Sequence, residues 1–139
     1  MPNILVVEDC PEYAATICEM LAEAGHDAIS VGCAEDAYEE LKDEDFDLII
    51  CDMMIPVSNG TDAEKYNFSP EVGAHMLWEL SKIFPTLPLV AISGEVPFAS
   101  LRRTAAYGAI ACLAKPFHYE ELLCIVNRSL SNPFAPHVQ

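Results

Sequence analysis

The chain has 139 residues, a hydrophobic fraction of 52% and a formal net charge of −15. This length allows one ordinary hydrophobic core, and the apolar content argues against disorder because disordered chains cannot bury enough apolar surface to offset their entropy. The strong negative charge repels phosphate backbones and anionic lipid surfaces, so it argues against direct binding of nucleic acids or membranes.

The chain also lacks signals for membrane insertion or secretion. No segment approaches the roughly 18 uninterrupted apolar residues that a spanning helix needs. Residues 1–9 lack a basic flank and become acidic too early for a secretion signal. The six cysteines show neither CxxC spacing nor a compact disulfide framework. We therefore expect a cytoplasmic protein with reduced cysteines.

Short apolar runs alternate with segments of helical periodicity along the whole chain. The predicted strands are 4–7, 28–31, 48–51, 87–92 and 109–114. The predicted helices are 11–24, 34–41, a third that starts near residue 69, 98–107 and 119–130. Unbroken apolar runs are typical of parallel strands that are covered on both faces. The strand-helix alternation therefore predicts a doubly wound α/β fold, with a five-stranded parallel sheet flanked by five helices. We expect the strand order 2-1-3-4-5, in which the first and third strands meet at the switch point.

Three residues mark the start of the third helix. Ser69 is a capping residue, Pro70 suits the first turn, and Glu71 places a negative charge at the positive end of the helix dipole. The apolar positions that follow along this helix are Leu77, Leu80 and Ile83.

Four of the five predicted strands end in polar side chains. These are Glu8 and Asp9 after the first strand, Asp52 after the third, Ser93 after the fourth and Lys115 after the fifth. Sheets of this kind bind ligands beyond the carboxyl ends of their strands. Three carboxylates that converge there stay ionised only beside a cation, and oxygen ligands without clustered histidine or cysteine favour Mg²⁺. A magnesium ion attracts phosphoryl oxygens, and the compact charge of a lysine suits a phosphoryl oxygen or an acceptor carboxylate.

Each of these residues also has an ordinary structural interpretation. An aspartate after a strand is commonly a turn residue, and a Lys-Pro pair is commonly a turn. An acidic pair such as Glu8-Asp9 is commonly a favourable charge at a helix N-terminus. The coincidence at four strand ends, rather than any one residue, predicts a functional site.

The pattern resembles the receiver domain of bacterial response regulators, a flavodoxin-like domain of two-component phosphorelay signalling. The residues that carry the resemblance are Glu8-Asp9, Asp52-Met53-Met54-Ile55-Pro56, Ser93-Gly94 and Lys115-Pro116-Phe117. The resemblance covers residues 4–130. It implies a domain that is switched by phosphorylation of one aspartate.

The resemblance implies a role for each acidic residue. Asp52 would accept a phosphoryl group from a histidine kinase or a histidine phosphotransfer protein. Asp9, Asp52 and the backbone carbonyl of Met54 would bind Mg²⁺ directly, and Glu8 would act through water. Met54 is apolar where some family members carry polar groups that assist hydrolysis, so we expect slow self-dephosphorylation.

The fourth and fifth strands would supply the phosphoryl-binding groups. By the resemblance, Ser93 and Lys115 hold the phosphoryl oxygens, and the peptide bond before Pro116 is cis, a form that proline permits. Cys112 departs from the family, which usually has tyrosine or phenylalanine at this switch position. We therefore expect the conformational readout to be muted or moved elsewhere, with Phe98, Tyr107 and Phe117 as the possible substitutes.

The resemblance also divides the chain. Residues 1–130 form the receiver domain and residues 131–139 a short C-terminal tail. Residues 57–72 are an insertion if Gly73 is the glycine that opens the third helix, whereas Gly60 in that position would place the insertion at the helix start. Long loops in compact domains are either tolerated surface insertions or functional segments, such as a lid or a docking loop.

The predicted function is that of a stand-alone, non-enzymatic switch. Because we expect no output domain after the last helix, the signal would pass through contacts with a downstream protein, or through a homodimer of the fourth helix, fifth strand and fifth helix. That surface includes Arg102, Arg103 and Tyr107.

Two alternatives remain. A receiver-like adaptor that never carries phosphate is left open by the insertion and Cys112. A phosphohydrolase with an aspartate nucleophile would need a second aspartate where Met54 stands.

Overall fold

The computed structural model describes residues 2–53, 55, 70–94 and 108–131, with the backbone alone for residues 70–72. Met54, the helix predicted at 98–107 and most of the predicted insertion lie outside the described residues. The strands are β1 Asn3–Val7, β2 Asp27–Val31, β3 Leu48–Asp52, β4 Leu89–Ser93 and β5 Ala111–Ala114. The helices within the described ranges are α1 Pro11–Glu23, α2 Ala34–Asp43, α3 Pro70–Ile83 and α4 Tyr119–Ser131.

The five strands form one parallel sheet in the order β2-β1-β3-β4-β5, which confirms the predicted fold class and strand order. Val7 pairs with Cys51 in the register of β1 and β3. Ser93 pairs with Ala114 in the register of β4 and β5. The carboxyl ends of these four strands therefore lie along one edge of the sheet.

Helices cover both faces of the sheet, as the unbroken apolar strands require. Successive residues of a strand point to opposite faces. The residues of β1 and β3 that pack with α2 and α3 are Leu5, Val7, Ile49 and Cys51. Those that pack with α1 and α4 are Ile4, Val6, Leu48 and Ile50. The two core clusters fix which side of each strand faces which helices.

Helix α1 begins at a proline and is followed by a glycine, residue types that are common at helix starts and ends. Pro11 occupies the first turn, where a missing N–H costs no hydrogen bond, and Glu12 adds a negative charge there. Gly25 follows the helix with a φ of +92°, a conformation that residues with a side chain rarely adopt. Its N–H donates to the carbonyl oxygen of Ala22 and closes the last turn.

Several details differ from the sequence prediction, among them the start of β5 at Ala111 rather than at residue 109. Strand β4 begins at Leu89 rather than at Leu87, because the N–H of Leu87 donates to the carbonyl oxygen of Phe84 in a turn. Ile83 is 59% exposed, whereas Leu77 and Leu80 are buried. Steps of three residues rotate each successive side chain by about 60° away from the first, because a helix has 3.6 residues per turn. Ile83 has therefore left the buried face.

None of the helices in the described part of the chain is long and apolar enough to span a membrane.

Candidate functional site

The acidic residues predicted from the strand ends lie together. Oxygen atoms of Glu8, Asp9 and Asp52 all lie within 4.8 Å of one another. Glu8 and Asp52 are each 3% exposed, and Asp9 is half-buried. Strand β1 positions the first two, and Asp52 is the last residue of the neighbouring strand β3.

Lys115 reaches into this acidic cluster from the end of β5. Its ammonium group donates hydrogen bonds to Glu8 Oε1 and, at 2.5 Å, to Asp52 Oδ2. The second carboxylate oxygen of Glu8 accepts a hydrogen bond of 3.2 Å from the N–H of Cys10. Lys115 thus contacts two of the three clustered carboxylates, which leaves an excess of negative charge in a largely buried site.

The electrostatics of the site follow from this arrangement. The pKa of Glu8 is raised to about 7, mainly by burial and also by the charge of Asp52, while its hydrogen bond with Lys115 opposes the rise. Burial lowers the pKa of Lys115, but the hydrogen bonds with Asp52 and Glu8 outweigh it and raise the pKa above its ordinary value. The lysine is therefore held charged, while Glu8 lacks a full counter-charge.

The donor set suits a hard divalent cation. All three acidic side chains offer oxygen, and the cluster contains no histidine or cysteine. Oxygen donors of this kind fit Mg²⁺, and a cation would balance the charge that Lys115 alone leaves uncompensated. Glu8, Asp9 and Asp52 are the residues that could hold such an ion.

Ser93 lies at the end of β4 beside this cluster. It is 1% exposed, and its hydroxyl has no hydrogen-bond partner among the described residues. The preceding residue, Ile92, pairs with Asp52 in the register of β3 and β4. The N–H of Lys115 donates to the carbonyl oxygen of Ser93 at 2.7 Å. A buried hydroxyl without a partner costs free energy, so Ser93 is available to a ligand at this edge.

Tyr13, in the first turns of α1, was not predicted from the sequence as a site residue. The Lys115 ammonium lies 4.3 Å from the centre of its ring, within the range of a cation–π contact. The ring meets Phe117 edge-on, with centroids 5.7 Å apart. Tyr13 precedes the buried Ile17 by four residues, so both lie on the same face of the helix. This spacing is the sequence signal that could have placed Tyr13 on the side facing the sheet. The Lys115–Pro116 peptide bond is cis.

Gly73, in α3, touches the segment that follows Asp52. A Cβ atom at Gly73 would lie 2.5 Å from the carbonyl oxygen of Met53, which is closer than Cβ atoms come to non-bonded atoms in proteins. The absence of a side chain thus lets α3 approach this backbone. Of the two glycines considered from the sequence, Gly73 makes this contact, and Gly60 lies outside the described residues.

Cys112 lies in β5 opposite Ala91 and is half-buried against the core that packs α2 and α3. Of the aromatic residues considered as substitutes for its switch role, Phe117 contacts Tyr13 near the site. Phe98 and Tyr107 lie outside the described residues.

Comparison with known proteins gives a family match over part of the chain. A sequence profile described as "Response regulator receiver domain" matches residues 4–66, which include Glu8, Asp9 and Asp52. The chain is 29% identical over 134 residues to the DNA-binding transcriptional regulator NtrC of Azospirillum brasilense, covering 96% of this chain and 25% of that protein. It is 29% identical over 137 residues to the sensory/regulatory protein RpfC of Xanthomonas campestris pv. campestris, covering 94% of this chain and 18% of that protein.

Similarity in structure extends over nearly the whole chain. The receiver domain of NtrX from Brucella abortus matches with a TM-score of 0.80 and 26% identity, covering 93% of this chain and 98% of that domain. In contrast, the chain spans about a quarter of the length of the first curated relatives, which are larger proteins.

Proposed function

This chain belongs to the response regulator receiver family, and we propose that it is a phosphorylation switch in which Asp52 accepts a phosphoryl group from a histidine kinase or a histidine phosphotransfer protein. One observation carries the proposal. The Lys115 ammonium lies 2.5 Å from Asp52 Oδ2, at the sheet edge where the buried Ser93 hydroxyl has no partner among the described residues. A negatively charged group transferred to Asp52 would meet both.

The transfer is a displacement at phosphorus. An oxygen of the Asp52 carboxylate attacks, the bond from phosphorus to the donor nitrogen breaks, and an acyl phosphate forms. Charge leaves the carboxylate and accumulates on the phosphoryl oxygens. The Lys115 ammonium follows this charge away from Oδ2, and the Ser93 hydroxyl donates to a phosphoryl oxygen. Catalysis here consists of positioning and charge stabilisation.

We propose that Mg²⁺ binds beside the acceptor. Asp9 and Asp52 would be direct ligands together with the backbone carbonyl of Met54, and Glu8 would act through water. The bound cation supplies neutralisation of charge between the carboxylates and the incoming phosphoryl group. The fit rests on the three clustered carboxylates, of which Glu8 and Asp52 are buried.

The output would be a contact with another protein. We propose that the receiver unit comprises residues 1–130, with residues 57–72 as an insertion, and that it signals as a switch rather than as an enzyme. Because Lys115 contacts both Asp52 and the Tyr13 ring, its movement on phosphorylation reaches helix α1 as well as β5. The curated relatives named above include a transcriptional regulator and a sensory protein.

The experiment is incubation with acetyl phosphate and Mg²⁺, followed by intact-mass measurement. We expect a gain of one phosphoryl group that is absent in Asp52→Asn and retained in Asp45→Asn, a control at an exposed acid away from the site. No gain in the folded, magnesium-bound protein would favour the adaptor. Sustained phosphate release from p-nitrophenyl phosphate would favour a phosphohydrolase.

A further inference from the structure

A second concave surface lies at the opposite edge of the sheet from Asp52. It is a cavity of about 470 Å³ between the segments that precede β3 and β4. Its apolar lining consists mainly of Leu41, Phe46, Ile83, Phe84 and Leu87. Ile83 is exposed, and the other four are only half-buried. We call this surface the basal groove.

The rim of the basal groove is acidic. Glu44, Asp45 and Asp47 line it, and its lining includes no lysine, arginine or histidine. The Asp47 carboxylate accepts a hydrogen bond of 2.7 Å from the N–H of Asn3, which ties it to the start of β1. Glu44 and Asp45 are exposed, and neither forms an ion pair within the described residues. Two carboxylates at the mouth of an apolar cavity are thus available to a partner.

We propose that the basal groove binds a segment of a partner protein in which lysine or arginine flanks a leucine or aromatic side chain. The apolar side chain would occupy the cavity, and the cations would face Glu44 and Asp45. The cavity volume lies in the range of about 300–1,000 Å³ that is usual for binding pockets. Binding would bury Ile83, the most exposed large apolar residue in the described part of the chain.

Charge complementarity favours a basic partner over a second copy of this chain. A symmetric dimer through the basal groove would bring acidic rim against acidic rim, and each copy carries a net charge of −15. The C-terminal residues 132–139 are a less suitable occupant because they contain no lysine or arginine.

The basal groove lies far from the proposed phosphorylation site. The groove residues precede β3 and β4, whereas Asp52 and Ser93 end these strands. Five residues of strand span about 17 Å. A ligand in the basal groove therefore leaves the acceptor site open, and phosphorylation by acetyl phosphate should proceed at the same rate with the groove filled. This inference is independent of whether Asp52 accepts phosphate.

The test uses a fluorescein-labelled helical peptide of alternating lysine and leucine pairs, with fluorescence anisotropy for affinity and amide chemical shifts for location. Ile83→Gln keeps the net charge, and we expect it to weaken binding about tenfold, as for an exposed isoleucine that becomes buried. The double variant Glu44→Gln/Asp45→Asn should weaken binding several-fold. Trp78→Gln and the double variant Glu19→Gln/Glu23→Gln are the matched controls, because they remove an exposed apolar residue and two charges elsewhere.

The proposal is supported if the peptide changes the amide chemical shifts only of residues 41–47 and 83–88, and if the groove variants lose more affinity for the peptide than the control variants do. Equal losses in both charge variants, with shifts spread over the surface, would overturn the proposal in favour of non-specific attraction. Shifts of the groove resonances with protein concentration would assign the surface to a second copy. Shifts of these resonances on truncation after Ser131 would assign it to the C-terminal residues, and either result would contradict the proposal.

Discussion

The ammonium group of Lys115 bridges Asp52 and Glu8, with 2.5 Å between Nζ and Asp52 Oδ2. The lysine is the last polar residue of the site along the chain, and Glu8 is the first. One cation thus ties the ends of β1, β3 and β5 together in the unphosphorylated protein. In the proposed mechanism the same cation leaves Asp52 Oδ2 when a phosphoryl group arrives, so the stability of the resting state and the response to phosphate would depend on one side chain.

Replacing this cation tests its structural role. In metal-free buffer, Lys115→Met should lower the free energy of unfolding by about 3 kcal/mol, because two buried carboxylates lose their partner. Urea unfolding measures the change. Lys42→Met, which breaks the exposed pair with Glu39, should cost less than about 1 kcal/mol. Saturating Mg²⁺ should raise the free energy of unfolding more in Lys115→Met than in the unmodified protein. Equal increases would contradict the idea that Lys115 and the metal ion neutralise the same carboxylates.

The raised pKa of Glu8 predicts a dependence of stability on pH. The folded-state pKa is about 7 against an ordinary value of 4.5, so between these values the folded protein binds a proton that the unfolded chain has released. Stability from this group is therefore present below about pH 4.5 and is lost as the pH rises through 7. Thermal unfolding in EDTA should show a falling Tm across this window relative to Glu8→Gln. A constant difference between the two proteins would argue against the shift.

Ser93→Ala should weaken binding of a phosphoryl group without lowering the stability of the fold. The Ser93 hydroxyl is buried without a partner among the described residues, so its loss should leave the free energy of unfolding within about 1 kcal/mol or raise it. The affinity for beryllofluoride, a mimic of the phosphoryl group, should nevertheless fall about tenfold in Mg²⁺, since the hydrogen bond from the Ser93 hydroxyl to a fluorine in the place of a phosphoryl oxygen is lost. Ser81→Ala, at an exposed hydroxyl on α3, is the control and should leave beryllofluoride affinity unchanged. Unchanged affinity in Ser93→Ala would contradict a phosphoryl-binding role.

Gly73→Ala tests the contact between α3 and the backbone after Asp52. The added methyl group would meet backbone atoms of Met53 at 2.5–2.8 Å, so the helix or the loop must move. We expect a loss of about 1–3 kcal/mol in the free energy of unfolding, as for other overpacked sites. Gly94→Ala is the matched control, because a Cβ there has no atom within 4 Å. Equal effects of the two changes would mean that the close approach does not matter.

The sequence predicted the fold because its signals are local and periodic. Unbroken apolar strands indicated a parallel sheet, and the rule for switch points then brought Glu8, Asp9 and Asp52 to one edge. The structure places their oxygens within 4.8 Å of one another. The acceptor carboxylate was an expected partner of Lys115, but its contact with Glu8 was not predicted, because no spacing along the chain tells which of several converging carboxylates a lysine contacts.

Contacts between helices and the sheet edge were also beyond the sequence. Tyr13 lies against Lys115 only because of the way α1 packs beside β1 and β2, and Gly73 is tight against Met53 only at the observed distance of α3. Ile83 continues an apolar series along α3 but rotates out of the core. Such details depend on a few ångströms of helix placement, which residue patterns do not specify.

The most direct measurement of the central claim locates the phosphoryl group itself. Sodium borohydride reduces an aspartyl phosphate to homoserine, and tandem mass spectrometry then identifies the reduced position. After treatment with acetyl phosphate and Mg²⁺, we predict homoserine in place of Asp52 and at no other acidic residue, and none in the untreated protein. Reduction at Glu8 or Asp9 instead, or no reduction in the folded, magnesium-bound protein, would contradict the assignment of Asp52 as the acceptor.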